Sequence, residues 1–154
     1  MNAAETRETL DRFYGALARA DGEAMAAMYA PDASFEDEVF RLRGADIGRM
    51  WIGLTRRARD FSVAYTIAQA GSGRGTVEWT ARYLFAGKRP VTNVILSELE
   101  LDQGKIRRQV DRFDFRRWAG QALGGWARPL ARFSWFRRRV SRQAASRLGV
   151  PART

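Results

Sequence analysis

Two residue types that carry much of acid–base and metal chemistry are missing: the chain has no histidine and no cysteine. Disulfides, thiolate nucleophiles and Cys or His metal ligands are therefore excluded, and so is the commonest general base. Proton transfer would fall to Asp, Glu, Tyr or a perturbed Lys. Segments with the alternation of strands hold such groups where apolar residues belong. Asp37 shares a strand face with Phe35 and Val39. Asn93 and Ser97 interrupt the face made by Val91, Ile95, Leu99 and Leu101. Tyr65, Trp79 and Tyr83 add polar tips to two other apolar faces. If Phe113 and Phe115 point inward, Gln109 and Asp111 do too. A buried carboxylate is costly unless paired, hydrogen-bonded or protonated. Several such groups converging inside one sheet point to a polar-tipped cavity. Two carboxylates with no cation clearly between them raise at least one pKa, which suits an acid or a base. The candidate catalytic residues are thus Asp37 and Asp111. The candidate ligand contacts are Tyr65, Trp79, Tyr83, Asn93 and Ser97. No metal and no cofactor is implied. Each residue also has an ordinary structural reading: a strand end touching water, a side chain bonded to nearby backbone, or a hydroxyl reaching the surface past its ring.

The elements that must hold these groups follow from periodicity. Leu10, Phe13, Tyr14 and Leu17 form one face of a helix over Glu5 to Ala20. Asp21 is placed to cap a short second helix bearing Met25, Met28 and Tyr29, which Pro31 ends. A strand is expected over Ala33 to Phe40, then a helix over Asp46 to Arg59 with Ile47, Met50, Trp51 and Leu54 as its core stripe. Four strands follow as an antiparallel meander, with turns at Gly71-Ser72-Gly73, Gly87-Lys88 and Asp102-Gln103-Gly104. Helices and strands grouped in this way imply an α+β fold, not a parallel βαβ sheet. A chain of 154 residues suits one domain with a real core. No apolar run approaches the length of a membrane span, and the first residues are polar and acidic, so a cytoplasmic protein is expected.

The net charge of +10 is unevenly placed. Residues 1–114 hold all 17 acids and 17 of the 27 bases; residues 115–154 hold the other ten bases, all Arg, and no acid. Trp118, Leu123 and Trp126 are spaced for a short helix broken at Gly124-Gly125. Ser134 is placed to cap a last helix, in which Phe136, Val140, Ala144 and Leu148 recur every four residues opposite Arg138, Arg139 and Arg142. Such a basic amphipathic helix could pack on the body or a second subunit, lie on an anionic membrane, or bind an acidic partner. Nucleic acid is the weaker alternative, since no recognised nucleic-acid motif is present.

The stretch RFYGALARADGEAMAAMYAPDASFEDEV at 12–39, followed by RGADIGRMW at 43–51, resembles the opening of SnoaL-like proteins in the nuclear-transport-factor-2-like superfamily. DQGKIRRQVDRFDFRRW at 102–118 resembles their final hairpin. The resemblance covers roughly residues 3–118. It implies a cone-shaped fold: a curved, mostly antiparallel sheet packed on N-terminal helices, here spanning 1–115, with 116–154 as a basic helical extension. It does not fix one function, because the superfamily holds ketosteroid isomerases, polyketide cyclases, epoxide hydrolases and binding domains without catalysis. Asp37 falls where ketosteroid isomerases hold their general base. Their oxyanion-hole tyrosine would fall on Phe13 and their protonated aspartate on or near Ser97, so both donors look lost; Tyr14, one position off, is expected to face elsewhere. Asp111 matches the acid that SnoaL-like cyclases and limonene-type epoxide hydrolases carry on the last strand. The hydrolases pair it with an Asp and an Arg on an earlier strand, yet EWTARYLF at 78–85 has no Asp and its Arg82 alternates outward.

The expected activity is a cofactor-independent isomerase, cyclase (lyase) or hydrolase acting on a hydrophobic, oxygen-bearing small molecule. The alternative is a non-catalytic interaction domain whose Arg-rich tail binds an anionic membrane or acidic partner. A homodimer is compatible with either.

Overall fold

Asn2 starts the first helix through a capping box. Its side chain accepts the Glu5 N–H at 2.9 Å, and the Glu5 carboxylate accepts the Asn2 N–H at 2.9 Å. Helix α1 (Ala3–Ala18) buries Leu10, Phe13, Tyr14 and Leu17, as their spacing requires. Asp21 caps α2 (Gly22–Ala26) by accepting the Ala24 N–H. Helix α3 (Ala45–Arg57) lies close against α2: a Cβ on Gly22 would stand 2.7 Å from the backbone of Ile52, which makes glycine the residue that fits there. These residues belong to a computed structural model that describes residues 1–153.

The sheet is mixed, curved and unclosed, with strand order β2-β1-β6-β5-β4-β3. Strands β3 (Ser62–Ala70), β4 (Arg74–Phe85), β5 (Arg89–Asp102) and β6 (Lys105–Arg112) run as the expected antiparallel meander. β1 (Tyr29–Glu36) lies parallel to β6. Register shifts between Ile67 and Gln69 and between Glu100 and Leu101 bend the long strands, as bulges do, so that the sheet wraps α1. Among the described residues no helix is long and apolar enough to cross a membrane.

Three local expectations are corrected. The first strand begins at Tyr29, with Pro31 inside it, and ends at Glu36. The chain then turns into a three-residue strand, β2 (Arg41–Arg43), antiparallel to β1, so Asp37, Val39 and Phe40 lie in a hairpin loop. Asp37 makes that turn: its Oδ1 accepts the N–H groups of Val39 at 2.7 Å and Phe40 at 2.6 Å. The final strand stops at Arg112, and Asp114 caps a helix, α4 (Phe115–Leu123), by accepting the Arg117 N–H. Phe115 is therefore a helical residue. Ser134 does not cap α6 (Ser134–Leu148); that position is held by Phe133, without a side-chain bond.

The C-terminal helices lie on the body. Trp118 of α4 donates to the Tyr83 hydroxyl at 2.9 Å and packs among Phe85, Phe113 and Phe115. A short helix, α5 (Ala127–Leu130), leads to α6, which buries Phe136, Val140, Ser141 and Ala145. Ser141 donates to the Val39 carbonyl at 2.6 Å, and Arg153 donates to the Asp37 carbonyl and, at 2.8 Å, to the Glu36 carboxylate. Both tie the C-terminal segment to the β1–β2 hairpin.

Candidate active site

Strand pairing decides which polar groups meet. β5 and β6 place Ser97 opposite Asp111 and Leu99 opposite Gln109, and β1 sets Phe35 beside Gln109. Side chains of directly opposed residues share a face, so Ser97, Asp111 and Gln109 come together on the inner side of the sheet. All three are buried.

They are bonded into a chain. Trp79 donates its indole N–H to Ser97 Oγ at 2.8 Å, and Ser97 Oγ donates to Asp111 Oδ1 at 2.6 Å. Gln109 Nε2 donates to the same Oδ1 at 3.0 Å. Gln109 Oε1 accepts from the Tyr29 hydroxyl at 2.5 Å, which itself accepts from the Trp51 indole at 2.9 Å. Each donor is oriented by the group behind it. Both bonds to Asp111 land on Oδ1, so among the described residues Oδ2 receives no hydrogen bond.

Burial raises the Asp111 carboxyl to about 6, against the pull of Ser97 and Gln109, which favour its ionised form. Water removal thus outweighs two hydrogen bonds. The group is poised to hold or release a proton near neutrality.

Above it stands Tyr14. Its ring lies against Trp79, with centroids 6.1 Å apart, and against Tyr65 at 5.6 Å. Its hydroxyl is fully buried and forms no hydrogen bond among the described residues. Burial, then the charge of Asp111, raises this phenol well above its usual value, while the Ser97 hydroxyl, near enough to favour its ionised form but outside hydrogen-bond geometry, acts in the opposite sense. The resemblance had set Tyr14 away from the site, because the oxyanion-hole tyrosine of ketosteroid isomerases fell on Phe13, although periodicity put both residues on one apolar face. Both face inward, since α1 is wrapped by the curved sheet and buries neighbouring positions; the two rings meet edge to face at 5.0 Å. Tyr29 and Trp51 were also missed as site residues. Tyr29 was expected on α2 but opens β1, and Trp51 was read only as core. The signal available for both was a polar-tipped ring on an apolar face, which most often means core.

The other candidates divide. Trp79 and Ser97 join the Asp111 group directly. Asp37 is not in a strand; its half-buried carboxyl caps the hairpin turn and is pushed up to about 7, by burial first and then by Asp111, against its two backbone donors and Arg153. Tyr83 bonds to Trp118. Asn93 is buried on the inner face of β5 beside Ala81. Tyr65 is not brought into the group: its hydroxyl donates to the Asp11 carboxylate of α1 at 2.6 Å. Rings occupy the space between α1, α3 and the sheet, with Phe13, Phe35 and Trp79 each in contact with Trp51. Arg82 is exposed, as alternation required. Among the described residues no three Asp or Glu side chains gather as a metal site.

Solved structures share this arrangement of helices and sheet. An NTF2-like protein of unknown function from Burkholderia pseudomallei is 18% identical, covers 78% of this chain and 98% of its own, and superposes with a TM-score of 0.68. A protein with a ketosteroid isomerase-like fold from Catenulispora acidiphila, in complex with trimethylamine, is 16% identical over 76% of this chain and 93% of its own, with a TM-score of 0.66. An LEH-like epoxide hydrolase from M. tuberculosis is 25% identical over 83% of this chain and 97% of its own, with a TM-score of 0.60. No curated protein matches the sequence. The family model described as a SnoaL-like domain matches residues 10–109, a span that runs from within α1 through β5 into β6, and on that match the chain belongs to the SnoaL-like domain family.

Proposed function

We propose that this domain binds a small, hydrophobic, oxygen-bearing molecule and moves a proton on it without a cofactor, with Asp111 as the acid–base group. The carrying observation is the buried Asp111 carboxyl, raised to about 6, with Oδ2 free of protein donors and the unpaired Tyr14 hydroxyl nearby. A general acid–base group works best with a pKa near the working pH. A buried hydroxyl without a partner is unusual enough to call for a ligand atom that would pair with it.

The roles follow. Asp111 Oδ2 takes a proton from a carbon next to a carbonyl and returns it elsewhere on the molecule. Tyr14 donates to the carbonyl oxygen as it gains charge. Ser97, Gln109, Tyr29 and the two indoles hold the carboxylate in place. The ring-filled interior makes the ligand's surroundings apolar, and ligand entry requires those rings to turn aside. The likeness to a ketosteroid isomerase-like fold and to an epoxide hydrolase supports a small-molecule ligand. The absence of an Asp from β4, with Arg82 exposed, favours isomerase or cyclase chemistry over epoxide hydrolysis.

Deuterium uptake from D2O at the acidic carbon of a panel of hydrophobic ketones, followed by NMR, tests this. Wild-type protein should accelerate exchange for at least one compound, and Asp111→Asn should slow it by ~100-fold or more. Tyr14→Phe should slow it while leaving its rise through pH ~6 in place. Exchange at the wild-type rate in Asp111→Asn would remove Asp111 from the chemistry.

A further inference from the structure

The apolar stripe of α6 is spent on packing: Phe136, Val140 and Ala145 are buried. A different set of aromatics is left outside. Trp126 is 63% exposed, Trp135 50% and Phe133 39%. They form one cluster around the edge of the buried Phe136. Trp126 and Trp135 meet that ring at 6.2 Å and 5.9 Å, and Phe133 stacks with Trp135 at 6.4 Å. Neither exposed indole N–H has a hydrogen bond among the described residues.

Cations surround the cluster. Arg138, Arg139 and Arg142 are three, four and seven residues beyond Trp135, so they continue its helix face. Arg132 lies over the Phe133 ring at 4.8 Å, and Arg128 is exposed beside Trp126 in sequence. Among the described residues none of these five makes a salt bridge, whereas Arg137 and Arg153 are paired with Glu38 and Glu36. Residues 115–154 contain no acid.

We propose that the corner between α5 and α6 is a docking surface for an anionic lipid bilayer, lying in the interface with Trp126, Phe133 and Trp135 inserted and the arginines on the headgroups. An exposed Trp presents an apolar ring and one N–H, a combination suited to the headgroup boundary. Arg side chains extend apolar stems while keeping their charge at the phosphates. Single-stranded nucleic acid fits less well. It needs separate ring faces on which bases stack, but Phe133 and Trp135 stack on each other and Arg132 already lies over Phe133. The surface shares no residue with the acid–base group, so each inference stands without the other.

Co-sedimentation of the full chain with vesicles tests it, using phosphatidylcholine alone and phosphatidylcholine with about one third phosphatidylglycerol. The protein should partition onto the anionic vesicles and, more weakly, onto the neutral ones. Trp126→Ala with Trp135→Ala should reduce partitioning by about tenfold or more on both. Neutralising Arg138, Arg139 and Arg142 to Gln should remove the preference for anionic vesicles. Unchanged thermal midpoints would show that the variants remain folded, as exposed positions allow. Absence of partitioning, or partitioning indifferent to the tryptophan pair, overturns the proposal. So does binding to single-stranded RNA but not vesicles, or a change of oligomeric state in the tryptophan variant, which would assign the surface to a second copy.

Discussion

At the scale of single residues, Asp111 is a group whose burial works against its charge. Its folded pKa lies above that of an unfolded aspartate. Below the unfolded value both states hold the proton. As pH rises towards and through about 6, the unfolded chain gives the proton up first, and stability attributable to this group is lost. Asp111→Asn removes that dependence and keeps both bonds, since Ser97 and Gln109 bond a single oxygen that an amide also offers. The variant should gain on the order of 1–3 kcal/mol over wild type near pH 8, and the gain should vanish near pH 4, read from urea unfolding at both values. Tyr14→Phe makes a companion test. Deleting an unpaired buried hydroxyl should leave stability unchanged or raise it by up to about 1 kcal/mol, in contrast to its expected cost in turnover. A marked destabilisation would mean that the hydroxyl already bonds within the fold. Strand parity made Ser97, Gln109 and Asp111 legible, because alternation needs no tertiary information. Periodicity also put Tyr14 on the buried face of α1, but its place beside Asp111 was not legible, because spacing says which helix residues turn inward and not which sheet residues they meet.

At the scale of elements, the meander β3 to β6 was readable because each of its turns contains glycine. The β1–β2 hairpin was not, because Asp37-Glu38-Val39-Phe40 has neither glycine nor proline and continues the alternation of β1. Its turn is made instead by one carboxylate bonding two backbone N–H groups. Asp37→Ala should therefore cost about 1–2 kcal/mol, and Asp37→Asn, which keeps an acceptor oxygen, much less. Thermal or urea unfolding of the pair separates the turn from any chemistry. A loss of turnover in Asp37→Asn at full stability would return Asp37 to the catalytic group.

At the scale of the whole molecule, the question is what α6 contributes. It covers Phe136, Val140 and Ala145 and bonds the hairpin through Ser141 and Arg153. Removing residues 134–154 should lower the thermal midpoint by about 5 °C or more, measured by circular dichroism. An unchanged midpoint would leave α6 with no part in stability. The tail's apolar residues announced in the sequence that something would bury them. What covers them was beyond sequence reading: α6 lies against α3, with Leu148 beside Gly53, and Ser141 bonds a loop carbonyl, that of Val39, which no side-chain pattern marks.

The bond between Arg153 and Glu36 joins residues 117 positions apart. Contacts of such long range form late, because the intervening chain must first be ordered or confined. A chain emerging during synthesis can lay down α1, α3 and the meander, but the hairpin beside Asp111 stays unfastened until residue 153 is free to reach it. Refolding followed at Trp118 should therefore finish before protection from hydrogen exchange of the Arg153 amide, which donates to Ser141. The last step of folding would then be the securing of the hairpin next to the acid, not the assembly of the sheet that carries it.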